Sequence, residues 1–199
     1  DTLFFKATND FGTELWKTDG TVVGTLMVKD IATGPISSNP AKLFGFGNYL
    51  YFSADDGING NELWMTDGTL NGSKMLKDIF PGHYYTTRIF ENSSSPRNFR
   101  IEDGDLYFLA NDENGTSLWT TNGTSESTVK VHALKSFSSG KAVRLSGSYF
   151  YQGRNILGNE LWKTEINQKS EILSSSVRTP IGDGGGDLFY GFVIADGDM

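Results

Sequence analysis

Glu62-Leu63-Trp64-Met65-Thr66-Asp67-Gly68-Thr69 decides how this chain is read. The same eight positions occur earlier as Glu14-Leu15-Trp16-Lys17-Thr18-Asp19-Gly20-Thr21. They return as Ser117-Leu118-Trp119-Thr120-Thr121-Asn122-Gly123-Thr124, and a fourth copy keeps the front half, Glu160-Leu161-Trp162-Lys163-Thr164. All four tryptophans fall in these copies, at spacings of 48, 55 and 43 residues. Self-similarity at that period is the signature of a propeller or of a repeat array.

Working outward from the second copy, Ala41–Phe46, Tyr49–Ala54, Glu62–Thr66 and Lys74–Phe80 read as short strands rich in aromatic and β-branched residues. Gly47-Asn48, Asp55–Gly60 and Asp67-Gly68 punctuate them. Asp-Gly is strong chemistry for a two-residue hairpin turn, and it predicts one after each complete motif copy. Four strands in about 40 residues make one propeller blade. The third copy runs Asn98–Ile101, Asp105–Leu109, Ser117–Trp119, Thr128–Val131. The fourth runs Ala142–Leu145, Tyr149–Tyr151, Glu160–Trp162, Glu171–Leu173. Helical periodicity is absent.

The first copy has Thr2–Ala7, Glu14–Thr18 and Gly24–Ile31 but no preceding strand. Phe192-Val193-Ile194-Ala195-Asp196-Gly197-Asp198-Met199 resembles Phe99-Arg100-Ile101-Glu102-Asp103-Gly104-Asp105-Leu106 and supplies the expected missing strand. The predicted fold is all-β. It is a four-bladed β-propeller with four antiparallel strands per blade, closed by the C-terminal strand joining the N-terminal blade. The blades are residues 188–199 with 1–33, then 41–80, 97–134 and 141–177, in one domain spanning 1–199. Residues 81–97 are the longest connection, the kind of loop that is functional or disordered.

Composition excludes several functions. A net charge of −7 leaves no basic face for phosphate backbones, so no nucleic-acid partner is expected. No apolar run approaches the length that spans a bilayer, so no membrane insertion is expected. There is no cysteine, hence no disulfide, thiol nucleophile or thiolate metal site. The first residue is Asp1, which suits a processed mature protein or an excised fragment. The sequons at Asn71, Asn92, Asn114 and Asn122 are candidate glycosylation sites, although Asn-Gly is also ordinary turn chemistry.

The repeats resemble the ELWxxDGT repeat family. Glu14-Leu15-Trp16, Asp19-Gly20-Thr21, Gly24-Thr25 and Val28-Lys29-Asp30-Ile31 carry the resemblance. So do Glu62-Leu63-Trp64, Asp67-Gly68-Thr69 and Leu76-Lys77-Asp78-Ile79. The third copy matches in part. The fourth has Glu165-Ile166-Asn167 in place of Asp-Gly-Thr. The resemblance implies an extracellular or surface-associated protein of propeller type and no particular activity. In blade count and length the chain is also similar to hemopexin-like domains, without their sequence pattern or closing disulfide.

The repeated residues have two readings each. Trp16, Trp64, Trp119 and Trp162 either pack between blades, with the indole N–H bonded to a carbonyl, or form stacking platforms for sugar rings. In the first reading, the repeated glutamate accepts bonds from a neighbouring turn. Asp55, Asp56 and Asn59 form an oxygen-rich loop that suits Ca2+ in composition but not in EF-hand spacing. Lys42, Arg100 and Arg144 fall on innermost strands. They converge on a channel ion, unless strand alternation turns them elsewhere. Tyr84 and Tyr85 mark the 81–97 connection as a contact element.

Enzyme signatures are missing. His83 and His132 are the two histidines and stand in unlike contexts. No Gly-x-Ser-x-Gly elbow occurs. Gly182–Asp187 is glycine-rich but lacks the helix and lysine of a phosphate loop. The expectation is a secreted, non-enzymatic binding module, foremost a multivalent lectin-like propeller for glycans. A protein-interaction scaffold, with homo-oligomers allowed, or a carrier of an ion or small ligand is the alternative, and a hydrolase comes last.

Overall fold

The computed structural model describes residues 1–85, 89–102, 104–134, 143–145, 147–155, 158–165 and 171–174. The chain divides into two compact units, Asp1–Lys130 and Val131–Met199. Among the described residues every regular element is a strand.

Four antiparallel meanders account for nearly all of them. Sheet one orders β1 (Leu3–Asn9), β2 (Gly12–Thr18) and β3 (Leu26–Lys29). Sheet two orders β4 (Ala41–Phe46), β5 (Tyr49–Asp55), β6 (Asn61–Thr66) and β7 (Lys74–Lys77). A small hairpin, β8 (His83–Tyr85) with β9 (Ile89–Glu91), stands between sheets two and three. Sheet three orders β10 (Arg97–Glu102), β11 (Asp105–Asp112), β12 (Gly115–Thr121) and β13 (Val129–Ala133). In the second unit, sheet four orders β14 (Val143–Leu145), β15 (Ser148–Asn155), β16 (Gly158–Glu165) and β17 (Glu171–Ser174).

The repeat is kept to the level of single residues. Phe5 pairs with Trp16, Phe52 with Trp64, Phe108 with Trp119 and Tyr151 with Trp162. The irregularity after the motif's Leu recurs between Leu15/Trp16, Leu63/Trp64 and Leu161/Trp162. Sheets two and three each enter through a bulge, Ala41/Phe44 and Arg97/Arg100. The bulges place Lys42 and Asn98 at φ of 58° and 55°.

Apolar clusters join consecutive sheets of the first unit. Leu15, Val28 and Ile31 of the first repeat pack with Phe52, Ala54 and Trp64 of the second. Leu63, Met65, Leu76 and Ile79 of the second pack with Leu106, Phe108 and Trp119 of the third. The first strands of those two sheets, β4 and β10, adjoin each other, with Phe44 and Phe99 ring centroids 6.0 Å apart.

Three local expectations change. The Asp-Gly step is not a two-residue hairpin turn. β2 ends at Thr18 and β3 starts at Leu26, and the same seven-residue loop separates β6 from β7. Residues 81–97 are not irregular throughout, since they carry the β8–β9 hairpin. The strands after the loop are short, Leu26–Lys29 and Lys74–Lys77. The C-terminal strand expected at 192–199, and with it the closure of the first sheet, lies outside the described residues.

Candidate functional site

The motif's glutamate is a clamp. Glu62 is fully buried, and its Oε1 accepts the Ser94 N–H at 2.8 Å. Its Oε2 accepts the Ile79 N–H at 2.8 Å and the Ser94 hydroxyl at 2.6 Å. Glu14 does the same with Ser38 N–H (2.9 Å), Ile31 N–H (3.1 Å) and Ser38 Oγ (2.5 Å). Each carboxylate therefore ties together the two feet of the connection that leads to the next sheet. Burial pushes the Glu62 carboxyl up to about 7, against the lowering effect of its three donors. Ser117 replaces the glutamate in sheet three. There Asp112 of β11 supplies the carboxylate, accepting from Ser117 Oγ at 2.9 Å and Lys130 Nζ at 3.0 Å. Burial opposes ionisation of Asp112, but those donors and the Asn114 N–H outweigh it and hold the carboxyl below its usual range.

The tryptophans lie in the packing. Trp64, Trp119 and Trp162 are 5%, 7% and 5% exposed, which leaves none of their ring faces open as a stacking platform, whereas Trp16 is half-buried. The Lys29 ammonium stands 6.0 Å from the Trp64 ring and donates to the Ser73 carbonyl at 2.8 Å. Lys77 donates likewise to the Thr128 carbonyl at 2.8 Å. This lysine of the Lys-Asp-Ile run is an inter-sheet tie that sequence reasoning missed, although its recurrence at the same spacing was visible. One expectation fails: the indole N–H finds no carbonyl. Nε1 of all four tryptophans is buried without a hydrogen-bond partner. The ring is seated for packing, over a small residue two positions beyond its cross-strand partner. In sheet four a Cβ on Gly153 would collide with Trp162 Nε1.

Asp-Gly-Thr closes the seven-residue loop. Asp19 Oδ1 accepts Thr21 N–H (2.9 Å) and Oγ1 (2.7 Å), and Thr21 Oγ1 accepts Gly24 N–H (2.9 Å). Asp67, Thr69 and Gly72 repeat this with near-identical lengths. The threonine hydroxyl and amide hold both aspartates below their ordinary range. A Cβ at Gly24 or Gly72 would strike the aspartate. The motif glycine has a second use beyond its positive φ. A Cβ on Gly68 would lie 3.2 Å from the Phe4 ring of the preceding sheet, and one on Gly123 would lie 2.8 Å from the Tyr51 hydroxyl.

Asp55, Asp56 and Asn59 are committed to their own loop. Asp55 Oδ1 accepts Gly57 N–H (2.7 Å); Asp56 Oδ1 accepts Ile58 and Asn59 N–H (2.9 and 2.7 Å); Asp56 Oδ2 accepts Asn59 Nδ2 (2.7 Å). These oxygens close the turns of that loop. Among the described residues no group of three acids or histidines is placed to hold a metal ion.

The basic residues of the first strands take different places in their own sheets. Arg100 pairs with Tyr107, one residue before the phenylalanine opposite Trp119, and Arg144 pairs with Tyr149, two before the corresponding Tyr151. Successive side chains leave a strand on opposite faces, so within its own sheet Arg100 takes the face opposite that of Phe108, and Arg144 takes the face of Tyr151. Lys42 sits in the entry bulge instead. Arg100 Nε is 2.5 Å from Glu102 Oε1 on its own strand. Of the sequon asparagines, Asn71, Asn114 and Asn122 are exposed; Asn92 is half-buried and donates to the Pro81 carbonyl at 2.9 Å.

The hairpin is what the repeat does not explain. Thr13 and Asn61 N–H donate to Ser37 Oγ (2.9 Å) and Ser93 Oγ (3.0 Å), and Asp55 and Asn111 N–H donate to the Ser38 and Ser94 carbonyls. The two connections thus share every anchor. Yet seven positions separate Ile31 from Ser38, and fifteen separate Ile79 from Ser94. The additional chain forms β8–β9, closed by Asn92 N–H on the Gly82 carbonyl at 2.9 Å. Tyr84 stands exposed on it, and Tyr85 pairs with Ile89.

No family model matches this chain, and no curated protein matches it. Among solved structures it is similar to a chain from a structural and mechanistic analysis of two prolyl endopeptidases. That match has 13% identity and a TM-score of 0.49, covering 86% of this chain and 24% of the other, so this chain spans about a quarter of that length. It is also similar to a novel α-L-arabinofuranosidase from Clostridium thermocellum ATCC 27405. Here identity is 11% and the TM-score 0.34, over 85% of this chain and 72% of the other.

Proposed function

We propose that the chain is a secreted, non-catalytic binding module of propeller type whose β8–β9 hairpin contacts a protein partner. One observation carries this reading. Two connections with the same glutamate clamp and the same serine anchors differ by eight residues, and those residues build a hairpin with an exposed tyrosine. The additional chain adds nothing to the clamp. Tyrosine supplies contact area at low entropic cost, which suits a binding surface.

A multivalent glycan-binding module is the second reading. Three equivalent loops, at Asp19, Asp67 and Asn122, present exposed polar side chains at one end of successive sheets. Trp64, Trp119 and Trp162, being buried, would take no part in such contacts.

The test replaces residues 80–92 by Ala-Thr-Gly-Pro-Ile, the five residues that bridge Ile31 and Ser37. The clamp is retained, so folding persists. Protein capture that survives this replacement sinks the hairpin reading. Glycan-array binding that survives it establishes the second one.

A further inference from the structure

We propose that the face around the β8–β9 hairpin docks a segment of a partner protein that combines lysine or arginine with aliphatic side chains. This names the partner for the hairpin reading above and rests on it.

The face is continuous through close contacts. The β1–β2 turn lies on the first connection, where a Cβ on Gly12 would collide with the Ile36 carbonyl. The Ser38 carbonyl of that connection accepts the Asp55 N–H, which leads into the β5–β6 turn. The β5–β6 turn lies on the foot of the hairpin, where a Cβ on Gly60 would collide with the Asn92 carbonyl. Each piece of this surface exposes an apolar or aromatic side chain: Phe11 at 48%, Ile36 at 56%, Ile58 at 74% and Tyr84 at 51%. Isolated exposed apolar residues are ordinary on protein surfaces; four on contiguous loops at one end of a unit mark a contact surface.

Charge selects the occupant. Asp10, Asp55, Asp56, Asp78, Glu91 and Glu113 occupy these turns and connections. Among the described residues Lys42 and Arg97 lie at the same ends of their strands, and Lys29 and Lys77, which end β3 and β7, give their ammonium groups to the Ser73 and Thr128 carbonyls; Arg88 of the hairpin lies outside the described residues. Arg97 is occupied by the Ser95 carbonyl, Asn111 Oδ1 and Thr116 Oγ1. Asp78 is held above its ordinary range by burial first and by Asp56 second, so the acids already repel one another. An arriving cation relieves that repulsion, and complementary potentials set both specificity and association rate. Val22, Val23 and Leu70 are exposed on the seven-residue loops at the other end and serve as a control surface.

The experiment uses the full chain and three fluorescein-labelled twelve-residue peptides of alternating Lys/Leu, Glu/Leu and Lys/Ser, read by anisotropy. The Lys/Leu peptide should bind about 10-fold or more tighter than the other two. Ile58→Ser with Tyr84→Ser should weaken it about 10-fold, whereas Val22→Ser with Val23→Ser should leave it unchanged. Both pairs are exposed, so matched thermal melts verify folding. Glu/Leu binding as tight as Lys/Leu, and lost in the Ile58/Tyr84 variant, overturns the partner class and leaves the hairpin face intact. Lys/Leu binding indifferent to Ile58 and Tyr84 overturns both. So does the absence of binding by any peptide. A sedimenting dimer abolished by the Ile58/Tyr84 change would show a second copy as the occupant and refute the proposal.

Discussion

Replacing Glu62 by glutamine should flatten a pH dependence that the buried clamp builds into the first unit. The Glu62 carboxyl has an ordinary value of 4.5 and is pushed to about 7 in the fold. Between these values the folded chain holds a proton that the unfolded chain has released. The unfolding free energy therefore falls as pH rises from 4.5 to 7 and levels off above. A displacement of about 2.5 units at about 1.4 kcal/mol each makes that loss about 3 kcal/mol. Glutamine never ionises. It keeps one carbonyl acceptor for the Ile79 or Ser94 N–H and turns an amide donor toward the other, which costs about 1–3 kcal/mol at any pH. The discriminating quantity is the stability difference between the two chains. Wild type should lead at pH 4.5, and its lead should shrink by about 3 kcal/mol by pH 8. Urea unfolding followed by tryptophan fluorescence at half-unit steps measures it. Asp78 is raised by its own burial in both chains, so that part cancels in the difference, and its charge contributes to the Glu62 shift only as the smallest of the causes. A difference that stays constant from pH 4.5 to 8 refutes the argument that burial dominates the three donors.

Other perturbations follow from the repeat. In the third loop Ser127 Oγ, instead of an aspartate, receives Thr124 N–H at 3.3 Å and Asn122 N–H at 3.1 Å. Asn122→Asp and Ser127→Gly should therefore be non-additive, with a coupling of about 0.5–3 kcal/mol in a double-mutant cycle by urea unfolding. Gly20, Gly68 and Gly123 all have φ near +90°, but only the latter two abut an aromatic side chain. Alanine at Gly68 or Gly123 should lower the melting temperature more than alanine at Gly20, which carries the backbone cost of about 1 kcal/mol alone. Lys77→Met keeps the apolar stem and removes the bond to the Thr128 carbonyl. It should cost about 1–2 kcal/mol and speed hydrogen exchange at the β12–β13 loop.

The sheets were legible because their signal is periodic and local. Pairing of Phe52 with Trp64, and of Phe108 with Trp119, follows from placing β-formers on either side of a turn. The loop after the motif was misread for a physical reason. Asp-Gly does favour a tight turn, but Thr69 two residues on and Gly72 five residues on capture the aspartate and its threonine in a wider closure. That alternative depends on side-chain bonds, which a dipeptide signal does not contain. For Arg100, which face the side chain takes depends on the entry bulge that precedes it, and the sequence pattern does not show that bulge. One unpaired residue at Lys42 or Asn98 reverses which face every later side chain takes. The hairpin in 81–97 was invisible because Tyr84-Tyr85 and Ile89-Phe90 are too short a pair of runs to stand out from a loop.

The third copy shows which parts of the motif are exchangeable. It has lost the glutamate and recovers a buried carboxylate from Asp112 on the neighbouring strand. It has lost the aspartate and the second glycine, and Ser127 replaces the acceptor at a position where glycine stood because an aspartate filled the space. In the second case the loop closure is kept by a different residue; in the first a buried carboxylate is kept, but it ties Ser117, Asn114 and Lys130 of its own sheet instead of the feet of a connection. Interactions kept in this way serve elements that recur from copy to copy. The tryptophan is the limiting case. It remains in all four copies with its N–H unpartnered, a cost that only packing offsets: an aromatic ring buries about 150–250 Å2, worth up to about 5 kcal/mol, against about 1–3 for the orphaned donor. Selection for ligand contact would instead act on what a single copy has and the others lack. By that criterion the eight residues added between Ile79 and Ser94 are the part of the first unit that its architecture does not require.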